Sequence, residues 1–219
     1  MIRKKCLIII TGLVILLNIF ANVKAYTFLE SEPNENLWLG YNGRHIVRGS
    51  GSYSNNIVAV YENEEENKIR LKLSTNGGSS FSYTYDVDSS VYSNDVAIAI
   101  DSSNVVHIVY KAQTASFNQL RYKTFTLSTR TFSSYTTLWD YFATDPAISI
   151  NSNGHLYVVF SDNVDDIELK KYTTSWSSAT KIADCSTTYG CDLPDIDFDY
   201  DNTAHIVWRQ ETDNGYDLL

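Results

Sequence analysis

DVAIAIDSSNVVHIVY at 95–110, DPAISINSNGHLYVVF at 145–160 and LPDIDFDYDNTAHIVW at 193–208 are three copies of one pattern. A weaker copy, IVRGSGSYSNNIVAVY, occupies 46–61. Each copy closes on an aromatic, Tyr61, Tyr110, Phe160 and Trp208, at spacings of 49, 50 and 48 residues. Self-similarity at such a period marks a repeat architecture, and it settles the fold class before any single element is considered.

Within each copy the first strand alternates. Ile98 and Ile100, Ile148 and Ile150, and Ile196 and Phe198 point to one side, and Ala97 and Ala99, Ala147 and Ser149, and Asp195 and Asp197 to the other. A turn rich in Asp, Asn, Ser and Gly follows, the residues that turns require. The second strand is almost continuously apolar, over 106–110, 156–160 and 204–208. A strand apolar on both faces is covered on both faces, as happens when sheets stack side by side. Pro146 and Pro194 fall in the same slot near the start of the first strand, where a missing amide donor is tolerated on an edge.

Third strands are predicted at 68–74, 119–125 and 167–172, and fourth strands over 81–87, 132–139 and 176–183. Four strands per repeat of this length predicts an all-β chain, a β-propeller of four-stranded antiparallel blades. The units run over 43–92, 93–142, 143–190 and an incomplete 191–219, about 3.5 to 4 blades. A ring needs about four to eight blades, so the expectation is a fragment of a larger ring. The alternatives are a small ring in which the segment 26–42 supplies the missing outer strand, and open edges that pair between chains.

Residues 1–25 are set apart. Arg3, Lys4 and Lys5 precede an apolar run from Cys6 to Phe20, and Val23-Lys24-Ala25 fits signal-peptidase cleavage. Cleavage would export the chain, placing it outside the cell or on its surface with no later segment long enough to insert in a membrane. Removing the segment's four basic residues from the total of 17 leaves 13 against 26 acidic ones, net −13. That charge excludes nucleic acid as a partner and disfavours anionic lipid. The remaining cysteines, Cys185 and Cys191, are candidates for a disulfide in an oxidising compartment.

Residues 74–81, Ser-Thr-Asn-Gly-Gly-Ser-Ser-Phe, resemble the Asp-box, or BNR, signature of sialidase-like propellers, with Asn76 where the signature has Asp. Later copies at 127–132 and 173–176 are degenerate, and the resemblance covers 46–219. It implies a secreted, non-enzymatic member of the BNR superfamily in which Ser74, Asn76, Gly78 and Phe81 shape a turn between third and fourth strands. Tyr61, Tyr110, Phe160 and Trp208 are structural repeat positions in the same way. WD40 and kelch repeats have a similar period, but the Trp139-Asp140 pair does not recur and paired glycines occur only at 77–78.

No catalytic residue is assigned. A sialidase needs three arginines on one carboxylate, and Arg70 and Arg121 occupy similar slots of successive third strands, which suggests a repeated structural role. His107 and His205 share a slot with Tyr157 and read as packing positions. Asp195, Asp197, Asp199 and Asp201 alternate along one strand and its turn. Calcium takes such oxygen ligands, which makes calcium the candidate cofactor; the rival reading is an inner strand facing a watery channel followed by an ordinary Asp-rich turn. The expected function is an exported module that binds a glycan or protein ligand without catalysis. A sialidase-like glycoside hydrolase fragment and a structural surface protein stand as the alternatives.

Overall fold

A computed structural model of the protein describes residues 43–63, 65–89, 92–162, 164–185, 190–213 and 215–219, and the backbone alone at 37–38. The segment 1–25, expected from sequence to be a signal peptide, lies outside them. The described chain is a succession of antiparallel sheets, with a single 3₁₀ turn at Gly51–Tyr53 and no α-helix among the described residues.

In the first blade β1 (Leu37–Trp38) and β2 (Ile46–Arg48) both flank the inner side of β3 (Ile57–Asn63), followed outward by β4 (Lys68–Ser74) and β5 (Tyr83–Asp86). The second runs from β6 (Tyr92–Ile100) through β7 (Val105–Gln113) and β8 (Asn118–Thr126) to β9 (Thr131–Phe132) and β10 (Thr136–Trp139), both paired with β8. The third is β11 (Thr144–Ile150), β12 (Leu156–Ser161), β13 (Ile167–Tyr172) and β14 (Thr180–Ala183). The fourth has three described strands, β15 (Cys191–Phe198), β16 (Ala204–Thr212) and β17 (Gly215–Leu218). This is the predicted all-β propeller architecture.

Two details differ from the sequence reading. In the first repeat, Ile46 pairs with Ala59 as Ile98 pairs with Ile108, so the inner strand starts three residues earlier than the quoted alignment places it. The intervening loop is correspondingly longer and holds the 3₁₀ turn, which the shared aromatic Tyr61 conceals. Leu37–Trp38 pair with Glu62 and Asn63 of the first blade, so this part of 26–42 is not the outer strand of the fourth.

The alternation of the inner strands decides how blades stack. Ile98 packs with Val58, Val60 and Leu71 of the blade before it, whereas Ala97 and Ala99 meet Ile148 and Phe160 of the blade after it. Ile196 likewise packs back onto Ala147 and Val159. A large side chain on one face therefore meets small ones on the next blade, which brings the inner strands close together. The second strands are covered on both sides: Ile108 and Tyr110 face backward and Val109 forward, all fully buried.

The fourth blade breaks the series. Its backward face is packed, with Ile196 and Ile206 against the third blade, but Val207, the counterpart of Val109 and Val159, is 43% exposed. The disulfide Cys185–Cys191, with a Cα separation of 5.7 Å, ties the end of the third blade to β15 and buries itself against Ile167 and Trp208. Turns are locked by their first residue. Asp101, Asn151 and Asp199 each accept two backbone N–H groups at 2.8–3.1 Å. Asn104 and Asn202 reach across to the backbone of Ser50 and Ser152, linking neighbouring blades at 2.7 and 2.8 Å.

Phe160 is fully buried between two blades, and Trp208, at the same repeat position, is half-buried. Phe160→Ala should cost about 3–5 kcal/mol in urea unfolding, the range for a large core truncation. Trp208→Ala should cost clearly less. Equal losses would contradict the one-sided packing of the fourth blade.

Candidate ligand site at the propeller axis

The inner strands of the second, third and fourth blades carry the same irregularity. Pairing shifts register between Asn94 and Val96, between Thr144 and Ala147, and between Asp192 and Asp195. The extra residue is left-handed each time: Asp95, Asp145 and Leu193 have φ of 47°, 52° and 50°. Gly43 takes the equivalent place in the first blade at φ 74°. Bulges of this kind bend a strand and re-aim the side chains around it. Here they gather four strand beginnings at the axis. A Cβ on Gly43 would lie 2.7 Å from Ala97 Cβ and 3.2 Å from the Pro146 carbonyl oxygen, so only glycine lets the first, second and third blades meet. The next carbonyl, that of Arg44, accepts the Ile98 N–H at 2.8 Å.

Beside this junction lies a cleft of about 250 Å³ lined by Gly43, Arg44, Ile148, Asp195, Ile196 and Asp197. Its apolar floor is the isoleucine pair, and its walls are charged. Arg44 is exposed and forms no ion pair among the described residues. Asp195 accepts the N–H of its neighbour Ile196 at 2.9 Å, and Asp197 accepts the Ser149 hydroxyl at 3.2 Å. Both carboxylates are exposed. They stand where the second and third blades have alanine or serine.

A second polar group surrounds the bulges. Lys111 pairs with Asp95, and Arg209 pairs bidentately with Asp192 while lying 4.5 Å over the Tyr216 ring. Asp145 sits among them. Its burial, reinforced by the negative charge of Asp95, pushes its carboxyl up to about 6.

The sequence candidates fall as follows. Of the four alternating aspartates, Asp195 and Asp197 line the cleft, whereas Asp199 is engaged in its turn. His205 and the turn N–H groups hold the Asp199 carboxyl below the usual carboxylate range, and Asp201 lies exposed beyond it. No three His, Cys, Asp or Glu side chains among the described residues converge as a metal site. His107 and His205 each face the aspartate six residues before them, Asp101 at 3.3 Å and Asp199 at 3.0 Å. Burial lowers the His107 imidazole, and its Nδ1 meets the Tyr122 hydroxyl at 2.7 Å. Arg121 is buried against Asp88, which also accepts the Tyr110 hydroxyl, and Arg70 pairs with Glu66 and Asp86. These arginines bind the protein's own carboxylates.

The 74–81 segment is a closed turn between β4 and β5. Gly78 N–H donates to Ser74 Oγ, and Ser80 N–H donates to Asn76 Oδ1, both at 2.9 Å. Neither Arg44 nor Asp145 was singled out from sequence. The signal for Asp145 was present in the aligned slot Asp95, Asp145, Leu193. Arg44 was hidden by the misregister of the first repeat.

No protein-family profile matches the sequence, and no curated protein matches it. Solved structures do match the fold. The NanB sialidase of Streptococcus pneumoniae aligns over 90% of this chain and 32% of its own, at 13% identity and TM-score 0.56. A GH43 β-1,3-galactosidase aligns over 89% of this chain and 46% of its own, at 8% identity and TM-score 0.54. The endo-arabinase of Bacteroides thetaiotaomicron aligns over 81% of this chain and 74% of its own, at 12% identity and TM-score 0.51. Likeness at these identities is one of architecture: the chain has a sialidase-like propeller fold. Among the described residues no helix is long and apolar enough to cross a membrane.

A carboxyl whose folded value lies above its unfolded one holds its proton more tightly in the native state. Asp145 therefore costs stability progressively as pH rises from 3.8 to about 6. Asp145→Asn should raise the melting temperature at about pH 7.5, by the equivalent of at most about 3 kcal/mol, and leave it unchanged at about pH 4. A variant that gains nothing at the higher pH would show the carboxylate to be well accommodated.

Proposed function

We propose that the protein is an exported propeller that binds a glycan at the axial cleft without cleaving it. The observation that carries this reading is the Arg44 guanidinium, which forms no ion pair among the described residues and borders an open cleft with two exposed carboxylates, Asp195 and Asp197, on another wall. Sugar hydroxyls both donate and accept. A guanidinium supplies donors and carboxylates supply acceptors, so the pair suits a ring of alternating hydroxyls. The volume is just below the range of about 300–1,000 Å³ usual for small-molecule pockets, which gives room for one sugar ring. The uncharged ligand also agrees with the acidic balance of the chain. The structural relatives, named as a sialidase, a galactosidase and an endo-arabinase, all act on glycans, which adds support for this ligand class.

Placement supports binding without hydrolysis. Glycoside cleavage uses two carboxyl groups flanking the scissile bond from opposite sides. Asp195 and Asp197 stand two residues apart on one strand and approach a ligand from the same side. The Asp-box resemblance of residues 74–81 belongs with this reading as a structural turn, away from the axis. Export rests on the 1–25 segment, and the Cys185–Cys191 bridge is at home in an oxidising compartment.

One observation favours the second reading, a glycoside hydrolase. Asp145, near the axis and titrating at about 6, has the proton affinity a general acid needs. A glycan array followed by calorimetry, with a fluorogenic sialoside and arabinoside assayed in parallel, separates the two. Saturable binding without turnover is expected. Arg44→Ala should weaken it about 10–100-fold, the range for a charged hydrogen bond of about 1.5–3 kcal/mol. Asp195→Asn with Asp197→Asn should act in the same direction. Turnover abolished by Asp145→Asn would establish the hydrolase instead, and binding indifferent to Arg44 would remove the axial cleft from consideration.

A further inference from the structure

The loop that leads into the third blade presents aromatic rings to solvent. Tyr141 and Phe142 are 50% and 40% exposed. Their centroids are 4.8 Å apart at 88°, and Phe117, from the turn between β7 and β8, lies 5.6 Å from Tyr141 and 6.5 Å from Phe142. The three form a ledge in which Phe142 meets both other rings edge-to-face, the arrangement that aromatic quadrupoles favour, and Phe117 is tilted against Tyr141. Elsewhere in the described chain, rings of this size mostly fill the seams between blades, as Phe125, Phe160 and Trp139 do.

The ledge is held rigidly. Trp139 Nε1–H donates to the Tyr141 carbonyl at 2.6 Å, and the Ala143 N–H donates to the Asn118 carbonyl at 3.3 Å. Phe142 itself is left-handed, at φ 43°. For a bulky side chain that conformation is an outlier, and such outliers persist where surrounding structure fixes them. A glycine there would be unstrained, yet an exposed phenyl ring occupies the place. Its value to the fold is small, because two-fifths of it faces water.

Polar groups border the rings. Gln119 donates to the exposed Asp140 carboxylate and accepts from Arg121 at 2.8–3.0 Å. Flat apolar faces edged by carboxylate and amide match a pyranose or furanose ring, with C–H groups on its faces and hydroxyls on its rim. Nucleobases would stack equally well on aromatics, but a chain of net charge −9 repels their phosphates. The ledge is also joined to the axis. From Phe142 to Pro146 the backbone runs four residues, about 13 Å at 3.3 Å per residue. The Pro146 carbonyl lies against Gly43, which together with Ile148 lines the cleft.

We propose that Phe117, Tyr141 and Phe142 are a stacking platform for the outer rings of a glycan whose terminal ring occupies the axial cleft, so that the ligand is an oligosaccharide rather than a single sugar. This rests on the glycan reading of the cleft. The platform selects chain length, and Arg44 with Asp195 and Asp197 selects the terminal ring.

The test compares monosaccharides with the corresponding tetrasaccharides of xylose, arabinose and galactose by calorimetry on the full chain. In the unaltered protein a tetrasaccharide should bind at least about tenfold more tightly than its monomer. Tyr141→Ala and Phe142→Gly should each reduce that gain to twofold or less while leaving monosaccharide affinity unchanged. Phe142→Gly should not lower the melting temperature, because it removes a left-handed phenylalanine; a merely structural ring would give a clear loss. Monosaccharide binding with no gain for the longer chain would overturn the platform and leave the cleft intact. No binding of either would overturn the cleft reading and the platform with it. A dimer abolished by the ledge variants, with sugar affinity unchanged, would reassign the ledge to self-association and likewise overturn the proposal.

Discussion

Everything in this structure depends on one constraint: a β-sheet that is apolar on both faces must be covered on both. In the second and third blades the central strands β7 and β12 have no wet face, so an isolated blade would expose Ile108, Val109, Val158 and Phe160 at once. Neighbouring sheets supply the cover, and sheet twist turns a stack of such units into a fan about an axis. The stacking further requires that inner strands, where the fan is narrowest, alternate in size. Isoleucine facing backward into alanine facing forward meets that need at two successive interfaces, Ile148 against Ala97 and Ala99 and Ile196 against Ala147.

The same narrowing explains the bulges. Strands converging on an axis cannot all continue straight, and a left-handed residue at Gly43, Asp95, Asp145 and Leu193 bends each at the same height. Aspartate tolerates that conformation better than most residues, and glycine better than any. The bends bring backbone and polar side chains to one end of the axis, so the collection of charges there follows from the architecture. Asp95, Lys111, Asp145, Asp192 and Arg209 meet because four strand beginnings meet. Function is then a matter of which charges remain unsatisfied, and Arg44, Asp195 and Asp197 line the cleft without an ion pair among the described residues.

The fold was legible because its signals are repeated. A period near 49 residues, alternation on first strands and apolar runs on second strands each occur at least three times, and chance does not reproduce all three together. Single-copy features were harder to read. The first repeat carries a longer turn, and matching it by its closing aromatic alone shifted its inner strand by three residues and hid Arg44. The alternating aspartates were visible as a pattern, but a one-dimensional pattern cannot show that Asp199 spends its oxygens on its own turn while Asp195 and Asp197 face open space. The aromatic ledge was illegible for a different reason. Phe117 and Tyr141 are far apart in sequence, and their proximity depends on the pairing of β8 with its neighbours.

Asp195 and Asp197 illustrate how the fold and the site share one cause. Their counterparts Ala97, Ala99, Ala147 and Ser149 are pressed against the next blade, where a carboxylate would have to surrender its hydration. Burying such a charge without a partner is prohibitive, so two adjacent carboxylates on this face call for water, a cationic partner or a polar ligand above them. Asp195 and Asp197 thus place two hydrogen-bond acceptors in a cleft that Arg44 also lines. A glycan satisfies both demands, because its hydroxyls replace the water that the carboxylates require while its ring covers Ile148 and Ile196.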